Sequence, residues 1–519
     1  MNSVARLRTV ALTAVAALVV AACGGGSAGD APSAADEGPQ PGGSAKMIQM
    51  SEPRLLDPAV MQNSYSVNAV VGNSIFGYLI ADKVDGTFEY GLAESLESPD
   101  GGTTWTLTLR EGLVYSDGSP VDAEDVAYNW ERIKNPDLGS SSAAVAQYVT
   151  DMEADGTTLN FTLSEPIANF GFAIVRESLN WVAKPEALED PEAFEKNPIG
   201  AGPFVLESWN RGGDMVLKRN DTYFDDPKPY LDELVLSANA DEGQRFATIK
   251  SGGADATVAS SSAHWNKGIE DGLEIFRQPF SGGIPYWFNA RIAPFDEPRA
   301  REAVVKAIDL DAVNAAAFEG QGVVPKHLFA EDSNFYNGVE LTSHAKDDAQ
   351  ALFDELAAEG KGVEFTITAY QTSESRRVSE AIQAQLSGYQ NVDVKLEVLD
   401  FPAATAKATG REFQMMPAGL GFIDPETMLF QNLHSDSPGN YSGVSDSEMD
   451  DALTEGRIST DVEVRKAAYE VVAERFSAVN PGFIYVAYVG GVTFDPQTAG
   501  WTQYGLGSTR TDGVWTTNK

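Results

Sequence analysis

The stretch GLAESLESPDGGTTWTLTLREGLVYSDGSPVDAEDVAYNWERI, residues 91–133, decides how the rest of the chain is read. Trp105, Leu107 and Leu109 alternate with threonines, the period-two pattern of a half-buried strand. Ser116-Asp117-Gly118-Ser119-Pro120 follows as a turn, because glycine and proline punctuate regular structure and Asp and Ser side chains bond their own backbone. Asp122 then stands as an N-cap with Asp125 three residues later in the capping-box position, and the helix they open runs through Trp130 to about Lys134. Strand, turn and capped helix in close succession place this segment in a mixed α/β domain.

The same alternation spreads in both directions. Residues 159–163 repeat the half-buried strand pattern. Residues 203–209 and 215–219 read as strands joined at Gly212-Gly213. Residues 242–250 read as a helix ended by Gly252-Gly253, followed by a short apolar strand at 256–259. Farther on, helices at 298–308, 346–358 and 375–386 alternate with strands at 363–370 and 392–399. A long helix at 462–479 then precedes an apolar, aromatic strand at 483–489. The pattern predicts α/β lobes built on mainly parallel sheets. It holds no repeat of solenoid period.

The N-terminus has a different character. Arg6 and Arg8 precede an apolar run, residues 10–22, that is shorter than the about 20 residues a membrane helix needs. It fits a secretory leader. The run ends Val20-Ala21-Ala22-Cys23, which resembles a bacterial lipobox, and Cys23 is the one cysteine in the chain. The expectation is a leader at 1–22, a lipid on Cys23, and a flexible tether at 23–46 that lacks large apolar residues. One cysteine also excludes a disulfide framework, so packing alone holds the fold. The formal net charge of −39 becomes more negative still when Arg6 and Arg8 leave with the leader. Nucleic acid and anionic headgroups would be repelled, which leaves the lipid as the only membrane contact expected.

Enzyme chemistry finds no support. The G-x-S-x-G match, Gly25 to Gly29, lies in the tether without the strand and helix that a nucleophile elbow requires. There is no H-E-x-x-H and no Walker loop, and the four histidines, His264, His327, His344 and His434, are far apart. Asp151, Glu153 and Asp155 start a calcium-loop-like run, but Thr162 stands where the bidentate glutamate belongs. No metal, no cofactor and no catalytic residue are expected. Carboxylates are too numerous to nominate a hydrolytic pair, so a secreted lipoprotein hydrolase remains an alternative with nothing positive behind it.

Five segments, in order, resemble family 5 extracellular solute-binding proteins of the oligopeptide, dipeptide and nickel group. They are Leu56-Asp57-Pro58; residues 91–133, with Leu96 where tryptophan is usual; NPIGAGPFVLESW at 197–209; FNARIAPFDEPRAREAVVKAID at 288–309; and GNYSGVSDSEMDDAL at 439–453. The resemblance implies a two-lobed α/β fold of the periplasmic-binding-protein type II, with an extra subdomain in lobe one. Lobe one would hold 47–75, 199–280 and 490–519, the extra subdomain 76–198, and lobe two 281–489. Its implied role is to capture a small solute, peptide-like or else a sugar or metal chelate, between hinged lobes. It would act as an extracytoplasmic monomer and deliver to the permease and ATPase subunits of an ABC importer.

The resemblance also places ligand-facing segments. These are the loop with Ser64, Tyr65 and Ser66; the strand end with Ser260 and Ser261, since ligands sit at strand ends of open α/β sheets; and the segment with Gly421, Phe422 and Asp424. Trp287 and Asn289 follow the first crossing between lobes, and Tyr485 and Tyr488 line the second. Peptide-binding members hold the ligand's ammonium with an aspartate a few residues before an acidic residue and proline. Counting back from Asp424-Pro425 puts Gly421 there, and Ala418 where a stacking tryptophan is common. Two readings stay open: Asp424 or Asp400 replaces the missing acid, or the ligand brings no free α-amino group.

Overall fold

A computed structural model describes residues 33–518 except 64–67, 84–85, 260–261, 279 and 489. Cys23 and the expected ligand contacts Ser64, Tyr65, Ser66, Ser260 and Ser261 therefore lie outside the described residues.

Three sheets organise the molecule. The first has seven strands, in the order Glu274–Gln278, Gly490–Phe494, Ala256–Ala259, Ser44–Gln49, Glu233–Ala238, Met215–Arg219 and Phe204–Trp209. The second runs Val392–Leu399, Val363–Tyr370, Met415–Pro417, Ser281–Phe288 and Leu420–Phe422, with Gly482–Val486 also paired to Ser281–Phe288. A separate four-stranded antiparallel sheet is built from Ala93–Glu97, Thr104–Leu109, Thr158–Leu163 and Val149–Asp155. The expectation of mainly parallel sheets is corrected. Among the described residues, Ser44–Gln49 in the first sheet and Val363–Tyr370 in the second pair parallel with both of their neighbours, and every other pairing in these two sheets is antiparallel. The reason is topological: strands returning from the far lobe or from a hairpin enter the sheet in reverse.

The deciding stretch folds as its residues dictate. Trp105, Leu107 and Leu109 are buried and the threonines between them are not. Asp122 and Asp125 form the reciprocal capping box of the helix Ala123–Ile133. That helix buries Trp130, whose ring meets Phe161 edge-on at 5.1 Å. Burial of each such ring stabilises the fold by roughly 1.5–3 kcal/mol. The Leu-Asp-Pro motif also acquires a physical role. Asp57 caps a short turn through Ala59 N–H and takes both Nη atoms of Arg132, at 2.9 and 2.7 Å, tying lobe one to that helix.

The chain leaves the first sheet after Gln278 and enters the second at Ser281; it returns between Val486 and Gly490. The two passes lie against each other. Phe280 meets Tyr488 edge-on at 5.4 Å. Gly282, at φ +73°, approaches the Leu420 carbonyl so closely that a Cβ would collide with it.

The tether expectation needs revision at its C-terminal end. Ala34 is fully buried, its N–H bonds Pro496 O at 2.7 Å, and Trp515 Nε1 donates to Ala34 O. A segment of small residues has no side chains with which to build a core, but it can lie on one already built.

Candidate functional site

The two lobes enclose a cavity of about 970 Å³. Lobe one contributes Gln62, Asn63, Gln147, Tyr148 and Arg176, and lobe two contributes Gly419, Met428, Gln431 and Tyr441. A narrower inner cavity shares Arg176, Met428 and Leu506 with it and adds Asp82, Phe172, Gly421 and Asp424. A third, next to Phe280, reaches Asp424 from the hinge side. Amide groups, tyrosine rings and a few charges make walls suited to a polar organic solute.

At the lip the lobes touch through polar groups. Ala168 N–H donates to Arg457 O at 2.9 Å and Asn169 Nδ2 to Ser459 O at 3.1 Å, while Glu165 pairs with Arg457 at 3.1 Å. Net contributions of about 1 kcal/mol per neutral bond let such a lip close on a ligand and open again. Arg457 also lies over Phe430 at 4.0 Å and pairs with the buried Glu426.

The expected contacts divide. Gly421 lies on the cavity wall beneath Tyr488, and a Cβ there would sit 2.9 Å from that ring. Phe422 lines the inner cavity, and its ring packs on Phe329 at 5.6 Å between centroids. Trp287, Asn289 and Tyr485 line none of these three cavities. Trp287 is fully buried in the lobe-two core and donates to Ala418 O. Asn289 spends its amide on Arg411 O and Phe413 O, both at 2.9 Å. Tyr485 packs on Tyr286 and Phe318 in the other lobe-two core. Their strands are buried on both faces, so period-two alternation did not separate core from cleft.

Asp424 faces the inner cavity, but its carboxylate is taken. Arg465 donates to both oxygens at 2.9 and 2.7 Å, Glu426 N–H donates to Oδ1, and the two side chains are almost wholly buried. Asp400 caps the helix Phe401–Gly410 through Ala403 N–H. Asp424 therefore offers no free carboxylate to a ligand ammonium, and Asp400 lines none of these three cavities.

Two charged groups in the cleft escaped the sequence reading. Asp82 accepts from Gly505 N–H at 2.6 Å, and among the described residues no lysine or arginine pairs with it; burial pushes its pKa up to about 6. Arg176 closes the helix Phe170–Arg176, where an arginine beside a glutamate reads as a solvated C-terminal charge. The structure turns it into the cleft instead. Among the described residues no group of three or more His, Cys, Asp or Glu is placed to hold a metal ion.

Comparison with known proteins agrees with this geometry. The family described as bacterial extracellular solute-binding proteins, family 5 Middle, matches residues 87–442. Protein XP55 of Streptomyces lividans is 28% identical over 509 residues, covering 91% of this chain and 89% of its own. The periplasmic oligopeptide-binding protein OppA of Escherichia coli is 26% identical over 490 residues, covering 85% and 88%. Among solved structures, the binding protein AgaA of A. tumefacien R10 in complex with agropinic acid superposes with a TM-score of 0.76 at 23% identity, covering 92% and 99%. AppA of Bacillus subtilis in complex with a nonapeptide gives 0.75 at 19% identity, covering 92% and 99%.

Proposed function

Because the chain belongs to the bacterial extracellular solute-binding proteins of family 5 and is the substrate-binding component of an ABC importer, we propose that its cleft takes a peptide-like solute whose buried end has no free ammonium. The cavity lined from both lobes carries this reading. Its size suits a short peptide or a conjugate of similar bulk. Extended backbone on the ligand would find the amides of Gln62, Gln147 and Gln431, and ring faces would find Tyr148 and Tyr441.

A buried ammonium without a partner costs several kcal/mol. Gly421 has no carboxylate, Asp424 is bound by Arg465, and Asp400 is a helix cap. Among the described residues that line the inner cavity, Asp82 is the acid without a bonded cation, and its burial disfavours the ionised form such a contact needs. Mass spectrometry of solute released from purified protein identifies the ligand. Calorimetry with that solute should then show binding unchanged by acetylating its amines, or by Asp82→Asn, which keeps an oxygen for Gly505 N–H. Loss of binding in either case would restore the ordinary peptide reading, with the acid supplied by lobe one.

The protein works by binding alone. It is extracytoplasmic, and a lipid on Cys23 holds it at the membrane surface, where the closed lobes, as a monomer, meet the permease.

A further inference from the structure

We infer that the solute carries a carboxylate and that Arg176 is the residue that receives it. The inference rests on the cleft being the ligand site, and it concerns the end of the ligand that the ammonium argument does not address.

Arg176 is unlike the other interior arginines. Arg132, Arg465 and Arg475 each have a carboxylate oxygen at 2.6 to 2.7 Å. Arg245 and Arg301 are without acids but donate to backbone carbonyls. Among the described residues, the guanidinium of Arg176 has neither at hydrogen-bond distance. Its Nε lies 3.8 Å from Glu177 Oε1, beyond hydrogen-bond contact, and its Nη1 lies 3.5 Å from the Met428 sulfur. The other Glu177 oxygen accepts from Ser142 at 2.8 Å. A guanidinium has five donors in a planar fork and stays charged in proteins, so most of its capacity is unspent.

Its position explains why the unspent capacity matters. Arg176 lines both the large cavity and the inner one, and 24% of its side chain is exposed toward them. Burial pushes its pKa below the ordinary arginine value, and Glu177 is pushed upward by burial in turn. In a chain with 76 acidic residues, an interior cation without a bonded carboxylate is a costly arrangement. A ligand carboxylate would complete it by accepting two parallel N–H bonds, with the amides of Gln431 and Asn432 on the facing lobe within the same cavity. Because Arg176 belongs to lobe one and Met428 to lobe two, that contact also favours the closed arrangement.

The test uses casein hydrolysate as probe, in three forms: native, methyl-esterified at its carboxylates, and acetylated at its amines. Each is incubated with wild-type, Arg176→Gln and Arg176→Lys protein, and retained species are identified by mass. Wild type should retain species from the native and acetylated forms and lose them on esterification. Arg176→Gln should retain roughly 100-fold less, with Arg176→Lys between the two. Pools amidated only at the C-terminus separate a terminal carboxylate from a side-chain one. A second readout needs no ligand: the melting temperature of Arg176→Gln should equal or exceed that of wild type, since the substitution removes a poorly paired buried charge. Equal retention of esterified and native species, or a melting temperature several degrees lower, would overturn the inference. Wild type that retains nothing from any form would refute the peptide-like reading instead, and the melting comparison would still decide the role of Arg176.

Discussion

Asp424→Asn lowers the stability of lobe two by about 3–5 kcal/mol, the cost of leaving a buried cation without its partner. Asp424 and Arg465 are 3% and 5% exposed and share two short bonds, so water does not replace the lost carboxylate. The guanidinium is enclosed further by Phe335 and Tyr469, at 4.9 and 5.6 Å. An asparagine keeps one oxygen but cannot neutralise the charge. For a lobe of this size the loss appears as a fall in Tm of roughly 10 °C. Replacing both partners, Asp424→Asn with Arg465→Met, should recover much of it, because a neutral pair carries no uncompensated charge. The experiment also separates two roles for the residue. Were Asp424 the ligand's ammonium partner, the single substitution would abolish binding and leave Tm within a degree or two.

Cys23→Ala protein leaves the membrane fraction entirely. Each lipid methylene contributes about 0.8 kcal/mol when buried, and two or more chains give stable attachment. Among the described residues no helix is long and apolar enough to cross a membrane. A net charge of −39 is repelled by anionic headgroups. Fractionation of cells carrying the variant checks this, and a membrane-bound share equal to wild type would refute a lipid on Cys23.

Local structure was legible because local rules set it. The helix Val462–Val479 begins at Asp461, which caps Glu463 and Val464 N–H, and ends at Asn480 in the left-handed conformation. Both are signals that the sequence displays. Sheet direction was not legible, because it depends on partners far away in the chain. Met47 pairs with Leu236 and with Ala256, and Val492 lies between Val258 and Phe276. The candidate site was legible only as a region. Gly421 and Tyr488 do meet at the cleft wall, whereas Trp287, Asn289 and Tyr485 look the same in sequence but serve the core. Arg176 and Asp82 were invisible because what distinguishes them is the lack, among the described residues, of a closely bonded opposite charge, which only the folded arrangement shows.

The central claim is that two lobes close on a solute held between them. The lip contacts of Ala168, Asn169 and Glu165 with Arg457 and Ser459 define the closed arrangement. Opening about the two crossings between the sheets is the motion this arrangement would require. Solution scattering on stripped protein, and on the same protein saturated with the solute recovered from it, tests this directly. The account predicts a smaller radius of gyration in the bound state. An identical radius in both states at saturation would contradict it.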